Sequence, residues 1–135
     1  MDGITRGLIG HAEVVVGEAQ TAPSIGSGRI AVLATPVMIN LMEAAALDAI
    51  EHLLEPGHQS LGTHLDVSHI AATPVGMTAR ASAEVTAVDG NRVGFKLTAH
   101  DDIELIGEGT HARVVVNVAR FDQRVARKQS PPGLT

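Results

Sequence analysis

Two titratable residues stand in apolar surroundings that ought to exclude them. Glu43 lies in the run Leu41-Met42-Glu43-Ala44-Ala45-Ala46-Leu47. At about 100° per residue, Ile39, Leu47 and Ile50 sit beside it on a helix. Desolvation there raises a carboxylate's pKa unless a partner offsets it. A carboxylate tuned in this way can serve as general base or nucleophile. The plainer reading is a glutamate that reaches water or forms one buried ion pair. His69 has the same peculiarity on a strand. In Thr63-His64-Leu65-Asp66-Val67-Ser68-His69 a period of two places it with Leu65 and Val67, while His64, Asp66 and Ser68 face the other way. A histidine on an apolar face is commonly a hydrogen-bonded core residue. If it approaches Glu43, the pair could activate water or a hydroxyl.

Two further residues fit that chemistry. Thr35 before Pro36 is explained by N-capping alone, yet its hydroxyl could also bond a carboxylate or hold a substrate. Gly62 at the start of a strand admits close approach to the backbone, and its N–H could hold a thioester oxygen; a plain turn or bulge glycine is the alternative. Other schemes lack their residues. There is no Gly-x-Ser-x-Gly elbow, no phosphate-cradling Gly-x-x-x-x-Gly-Lys and no His-Glu-x-x-His. A metal cage from His58, His64, Asp66 and His69 fails because His64 and Asp66 face away from His69, so no metal is expected. His100-Asp101-Asp102 reads as a solvated loop.

These side chains need one long helix and a sheet to position them. Thr35 as N-cap, Pro36 at the first helical position and Pro56-Gly57 as a stop predict a helix from there to Leu54. Around Glu43 it is apolar in every direction, so something wraps it. Alternation over Thr78–Ala87 and Arg92–His100, joined by Asp89-Gly90-Asn91, predicts a hairpin. A strand follows from Glu104 with Ile106, Thr110, Ala112, Val114, Val116 and Val118 in phase. Earlier strands span about 61–71 and 11–16. Alternation of this kind marks antiparallel sheet. The order is strand, loop, long helix and four strands in a meander, and it implies an α+β hotdog fold: one central helix wrapped by a curved antiparallel sheet. The stretch Glu18 to Arg29 reads as irregular and mobile. Residues 1–128 form a single domain, and 129–135 read as a disordered tail.

Composition narrows the function. Hydrophobic residues are 44% of 135, enough for one globular core, and Phe95 and Phe121 are the only aromatics. Ala, Val, Leu and Ile must therefore build that core. A net charge of −5 and the missing aromatics argue against nucleic-acid binding. With no cysteine, neither disulfides nor thiolate chemistry arises. No run reaches membrane-spanning length and no signal segment opens the chain, so a cytoplasmic protein is expected.

Four segments together resemble the fluoroacetyl-CoA thioesterase-like family of hotdog proteins. They are Ala34-Thr35-Pro36 through Leu41-Met42-Glu43, Ser60-Leu61-Gly62-Thr63, Val67 through Gly76, and Ile106 through Arg113. The resemblance spans nearly the whole chain and keeps the segments in order. It implies a homodimer, or a larger assembly built on one, with active sites at the subunit interface. It also implies Thr35, Glu43 and His69 as catalytic residues, Gly62 and Arg113 as substrate contacts, and no cofactor apart from the coenzyme A of the substrate. Simple alternation places Arg113 opposite Ala112 and Val114, away from the helix; a bulge near Gly107 or Gly109 would re-aim it, or it acts across the dimer. The family's fluoroacetyl-specific enzyme covers its acyl pocket with an aromatic lid. Ser24-Ile25-Gly26-Ser27-Gly28-Arg29 has no aromatic residue, so a broader short-acyl thioesterase is expected.

The expected activity is thus hydrolysis of a short-chain acyl-CoA, by a general-base or an acyl-enzyme route. A hotdog hydratase acting on enoyl thioesters would use a similar acid–base pair, and a non-catalytic acyl-CoA-binding protein would need only the pocket.

Overall fold

A computed structural model describes residues 3–129. Five strands form one antiparallel sheet: β1 (Ile9–Val15), β2 (His58–His69), β3 (Thr78–Asp89), β4 (Arg92–His100) and β5 (Leu105–Asn117). Helix α1 (Ala22–Ile25) is a single turn, α2 (Thr35–Ile50) is the long helix and α3 (Val118–Gln129) ends the described chain. The sheet order is β1-β3-β4-β5-β2. Only β3, β4 and β5 form a meander, in place of the expected four. The segment 70–77 between β2 and β3, with Pro74 and Gly76, is too long for a tight hairpin, and β2 instead lies beside β5 at the sheet edge.

The core follows from the composition. Ala79, Ala81 and Ala83 of β3 and Ala45, Ala46 and Ala49 of α2 are buried, and Phe95 is the largest fully buried side chain. Small residues on both surfaces let the helix lie close over β1 and β3. Gly10 makes the closest approach, since a Cβ there would strike the carbonyl of Ala45 and the amide of Ala49. Asp48 fixes the same junction by accepting the His11 N–H at 2.8 Å.

Several expectations need correction. Ala34, not Thr35, is the N-cap of α2; Thr35 is its first residue and makes no capping bond. The α-helix stops at Ile50, and a 3₁₀ turn over Glu51–Leu53 continues it. Nor is it wrapped on all sides: Asn40, Leu47 and Asp48 are exposed and Glu43 is half-buried. The region 18–29 contains a 3₁₀ turn at Glu18–Gln20 and helix α1. Strand β5 ends at Asn117, whose Oδ1 accepts the Arg120 N–H at 3.1 Å and so caps α3, a helix the alternation had hidden within a strand. The expected tail begins with Gln129, the last residue of that helix; residues 130–135 lie outside the described residues.

Gly10→Val should destabilise the fold by about 1–3 kcal/mol, because backbone rather than a movable side chain meets the new atoms. Urea unfolding measures it, and a change under about 0.5 kcal/mol, the size expected of an ordinary surface substitution, would contradict the packing described.

Candidate active site

The phase of β5 decides what faces the helix. A register shift between Ala99 and His100 places a bulge at Ile106. Beyond it, the buried residues are His111, Arg113 and Val115, while Thr110, Ala112, Val114 and Val116 face the other way. The alternation anticipated for this strand was therefore inverted after Ile106, and Arg113 points inward with 6% exposure. The bulge adjoins Gly107 and re-aims every residue after it.

Arg113 organises one group of side chains. Its Nε–H donates to Ser60 Oγ at 2.8 Å and its Nη2 to the Ser60 carbonyl at 3.0 Å. Glu51 holds Ser60 in turn, accepting its N–H at 2.9 Å and its hydroxyl at 2.8 Å. The remaining nitrogen, Nη1, donates to His111 Nε2 at 3.2 Å and lies 3.5 Å from Glu43 Oε2. His111 donates from Nδ1 to the His64 carbonyl at 2.8 Å and stacks on Phe95 with centroids 5.8 Å apart. Burial pulls the Arg113 guanidinium below its usual range, opposed by Glu43 and then Glu51. Burial also lowers His111, against the His64 carbonyl and with help from the Arg113 charge, so this ring is held neutral as an acceptor.

Gly62 belongs to this group. It pairs with Arg113 across the sheet, and β2 bulges at Thr63 immediately after it. A Cβ on Gly62 would meet Glu43 Oε2 at 3.0 Å and His111 Cε1 at 3.1 Å. A larger residue would press the Glu43 carboxylate and the His111 ring back by a few tenths of an ångström.

Thr35 and His69 form a second group. Thr35 Oγ1 and His69 Nδ1 are 2.7 Å apart, which is the bond the hydroxyl makes in place of a helix cap. Burial lowers the His69 pKa, with a smaller upward pull from the Ala71 backbone. His69 Nε2 is buried and has no hydrogen-bond partner among the described residues. Beside the pair opens a cavity of about 350 Å³ whose wall includes Ser27, Gly28, Arg29, Ile30 and Ile70. The pair supports either of two steps. With the proton on the hydroxyl, Nδ1 can draw it off and leave a nucleophilic Thr35; with the proton on Nδ1, Nε2 is free to take one from water.

The five anticipated residues thus fall into two clusters, Glu43–Gly62–Arg113 and Thr35–His69. Within one chain they do not merge, because Thr35 and Glu43 are eight residues, ~12 Å, apart along α2. The anticipated approach of His69 to Glu43 does not occur inside the chain. His111, Ser60 and Glu51 were not anticipated. His111 becomes visible once the β5 phase is set by Arg113, and Ser60 from its position two residues before Gly62. Among the described residues, no three His, Asp or Glu side chains gather as a metal cage.

A long helix laid in a curled antiparallel sheet is the hotdog architecture. Comparison with known proteins narrows it. The family model described as fluoroacetyl-CoA-specific thioesterase matches residues 16–119. The fluoroacetyl-CoA thioesterase of Streptantibioticus cattleyicolor is 44% identical over 102 residues, 76% of this chain and 73% of that protein. A solved structure of the fluoroacetyl-CoA thioesterase FlK superposes with a TM-score of 0.88 at 37% identity, covering 94% of this chain and 98% of that one. A point mutant of the same enzyme, solved with fluoroacetate and CoA, gives 0.82 at 36% identity over 87% and 99% of the two chains. The chain belongs to the fluoroacetyl-CoA-specific thioesterase family.

Ser60→Ala should cost about 1–3 kcal/mol, because it strands a buried Arg113 donor and a Glu51 acceptor together. Chemical denaturation checks this, and an unchanged midpoint would mean that the network carries no weight in the fold.

Proposed function

We propose that this enzyme hydrolyses short-chain acyl-CoA thioesters to the free acid and CoA at a site completed by a second copy of the chain. Thr35, Glu43 and His69 act on the thioester, while Gly62 and Arg113 hold it. The observation that carries this reading is the division of the five residues between two clusters beside an unpaired edge. Among the described residues β2 bonds only β5, and its inward-facing Leu65 is 39% exposed. Antiparallel pairing of β2 with β2 of a second copy would cover that edge. A two-fold axis through Asp66 pairs Val67 with Leu65 of the other copy and, with Thr63 bulged out of the ladder, sets His69 of one copy opposite Gly62 of the other. Thr35–His69 then faces Glu43–Arg113 across the interface, with the thioester between them.

The chemistry follows from the charges. A neutral His69 takes a proton from water or from Thr35, and the resulting oxygen attacks the thioester carbonyl. The tetrahedral intermediate carries an oxyanion that the Gly62 N–H and the Arg113 charge are suited to stabilise. As it collapses the C–S bond breaks, and the proton held by His69 passes to the departing CoA thiolate. Attack by Thr35 would leave an acyl-threonine, which a water activated the same way then hydrolyses. Glu43 favours the charged imidazole formed on the way. Water is the only co-reactant, so no cofactor enters. The cytoplasm supplies acyl-CoA, which supports placing the enzyme there.

The acyl group would occupy the cavity beside Thr35 and His69. Residues 23–31, which include part of its wall, are exposed and hold no aromatic side chain. Hydrophobic fit to so open a wall separates similar acyl groups by ~1–3 kcal/mol at most. Short acyl groups in general are the proposed substrates, without a strong preference for the fluorinated one.

Thiol release across a panel of acyl-CoAs tests the activity directly. Loss of enoyl absorbance without thiol would instead identify a hydratase, and binding without turnover a carrier. On the best substrate, Glu43→Gln and His69→Ala should each lower kcat by about 10²–10⁴-fold, and the double variant should be little worse. Near-normal turnover in both single variants would remove these residues from the mechanism. The neutral imidazole is the active form and its pKa is lowered. Glu43 of the second copy opposes that shift, so the rate should fall as pH drops and one proton is taken up; a rate that rose with acid would contradict the role of His69.

A further inference from the structure

Away from these clusters, four basic residues lie close together on α3. Arg120, Arg124, Arg127 and Lys128 are four of the ten basic residues in a chain of net charge −5. On α3 the three arginines recur at i, i+4 and i+7 and so share one helix face. That face closes a groove of about 540 Å³ against the end of β5, with Asn91, Asn117 and Gln123 completing its wall. The arginines are exposed and make no ion pair among the described residues, where the salt bridges belong to Arg80 and Arg113. Like charges one turn apart repel, and nothing in the groove relieves them. A ligand with several phosphates would, since guanidinium groups bind phosphate through paired hydrogen bonds.

We propose that this groove binds the phosphates of the nucleotide end of CoA. The inference rests on the acyl-CoA reading above and assigns the part of the substrate remote from the reacting bond. The reach agrees. From Arg113 to Asn117 along β5 is four residues, ~13 Å. The pantetheine arm has about the length of four to five residues of extended chain, ~16 Å from sulfur to phosphate. With the thioester carbonyl near Gly62 and Arg113, the arm can follow the end of β5 and deliver the pyrophosphate and the ribose 3′-phosphate to the arginines. An anionic substrate would also be drawn to this cationic helix face of a chain whose net charge is −5, the more strongly at low salt.

The test compares the full-length enzyme with the triple variant Arg120→Gln/Arg124→Gln/Arg127→Gln on two substrates carrying one acyl group, the acyl-CoA and the acyl-pantetheine that lacks the nucleotide. The expected result is a rise in KM of about tenfold or more for acyl-CoA, with kcat unchanged and acyl-pantetheine handled as by the unaltered enzyme. Equal losses on both substrates, or no loss on either, would overturn the proposal. Calorimetric titration with adenosine 3′,5′-bisphosphate reads the same groove without turnover. It should bind the unaltered enzyme, more weakly as salt rises, and lose about tenfold in affinity to the variant. If no acyl-CoA were hydrolysed but this binding held, the activity would fail and the phosphate site would stand; unaltered binding to the variant would sink the site alone.

Discussion

A guanidinium almost removed from water governs the architecture around it. Every donor on a buried arginine needs an acceptor, because an unmatched charge in the interior costs several kcal/mol. Arg113 obtains them from Ser60, His111 and Glu43, and each acceptor imposes a further condition. Ser60 is steadied by Glu51 from the turn that continues α2, tying the end of the helix to the edge strand. His111 must stay neutral and keep one nitrogen open, which burial and the bond to the His64 carbonyl accomplish. Glu43 must reach the strand, and Gly62 is the residue that leaves it room. The placement of one charge thus accounts for a serine, a histidine, a glycine and two glutamates.

The Thr35–His69 pair is built by different means. It stands where α2 begins and β2 ends, and its environment is apolar enough to keep the imidazole uncharged. A chain that carries two such clusters and leaves the outer edge of the strand between them without a partner strand among the described residues has the components of a site but not their assembly. Pairing two copies along β2 is the proposed completion. It joins a neutral base to a charged, oxyanion-stabilising group, which is the combination thioester hydrolysis requires. Deriving both from one sequence by symmetry needs no further residues.

Much of this was legible in the residues. The alternation of β3 and β4 and the turn at Asp89-Gly90-Asn91 have strong local causes, and the corresponding strands are present. Glu43 and His69 stood out because charge and apolar surroundings conflict, and Gly62 because a strand gains nothing from glycine unless something approaches it. Less was readable where a non-local event intervened. The bulge at Ile106 inverts the rest of β5, so period-two reading placed Arg113 on the wrong face and left His111 unnoticed. The β2–β5 pairing joins residues 38 to 59 positions apart, beyond the reach of local pattern. Helix α3 was hidden because Val114, Val116 and Val118 continue an alternation that Asn117 ends; Asn117 as a cap, with Val118, Phe121 and Val125 on one helical stripe, was the available sign.

Catalysis by residues from two copies of the chain is open to direct measurement through complementation between inactive variants. Mixing Glu43→Gln and His69→Ala subunits under conditions that exchange protomers yields some pairs in which one site combines an intact His69 with an intact Glu43. With random exchange, half of the dimers are mixed and one of their two sites is complete, so turnover should return to about a quarter of that of the unaltered enzyme. Mixed dimers confirmed by differential tagging but no more active than their inactive parents would place the whole site within a single chain and contradict this account.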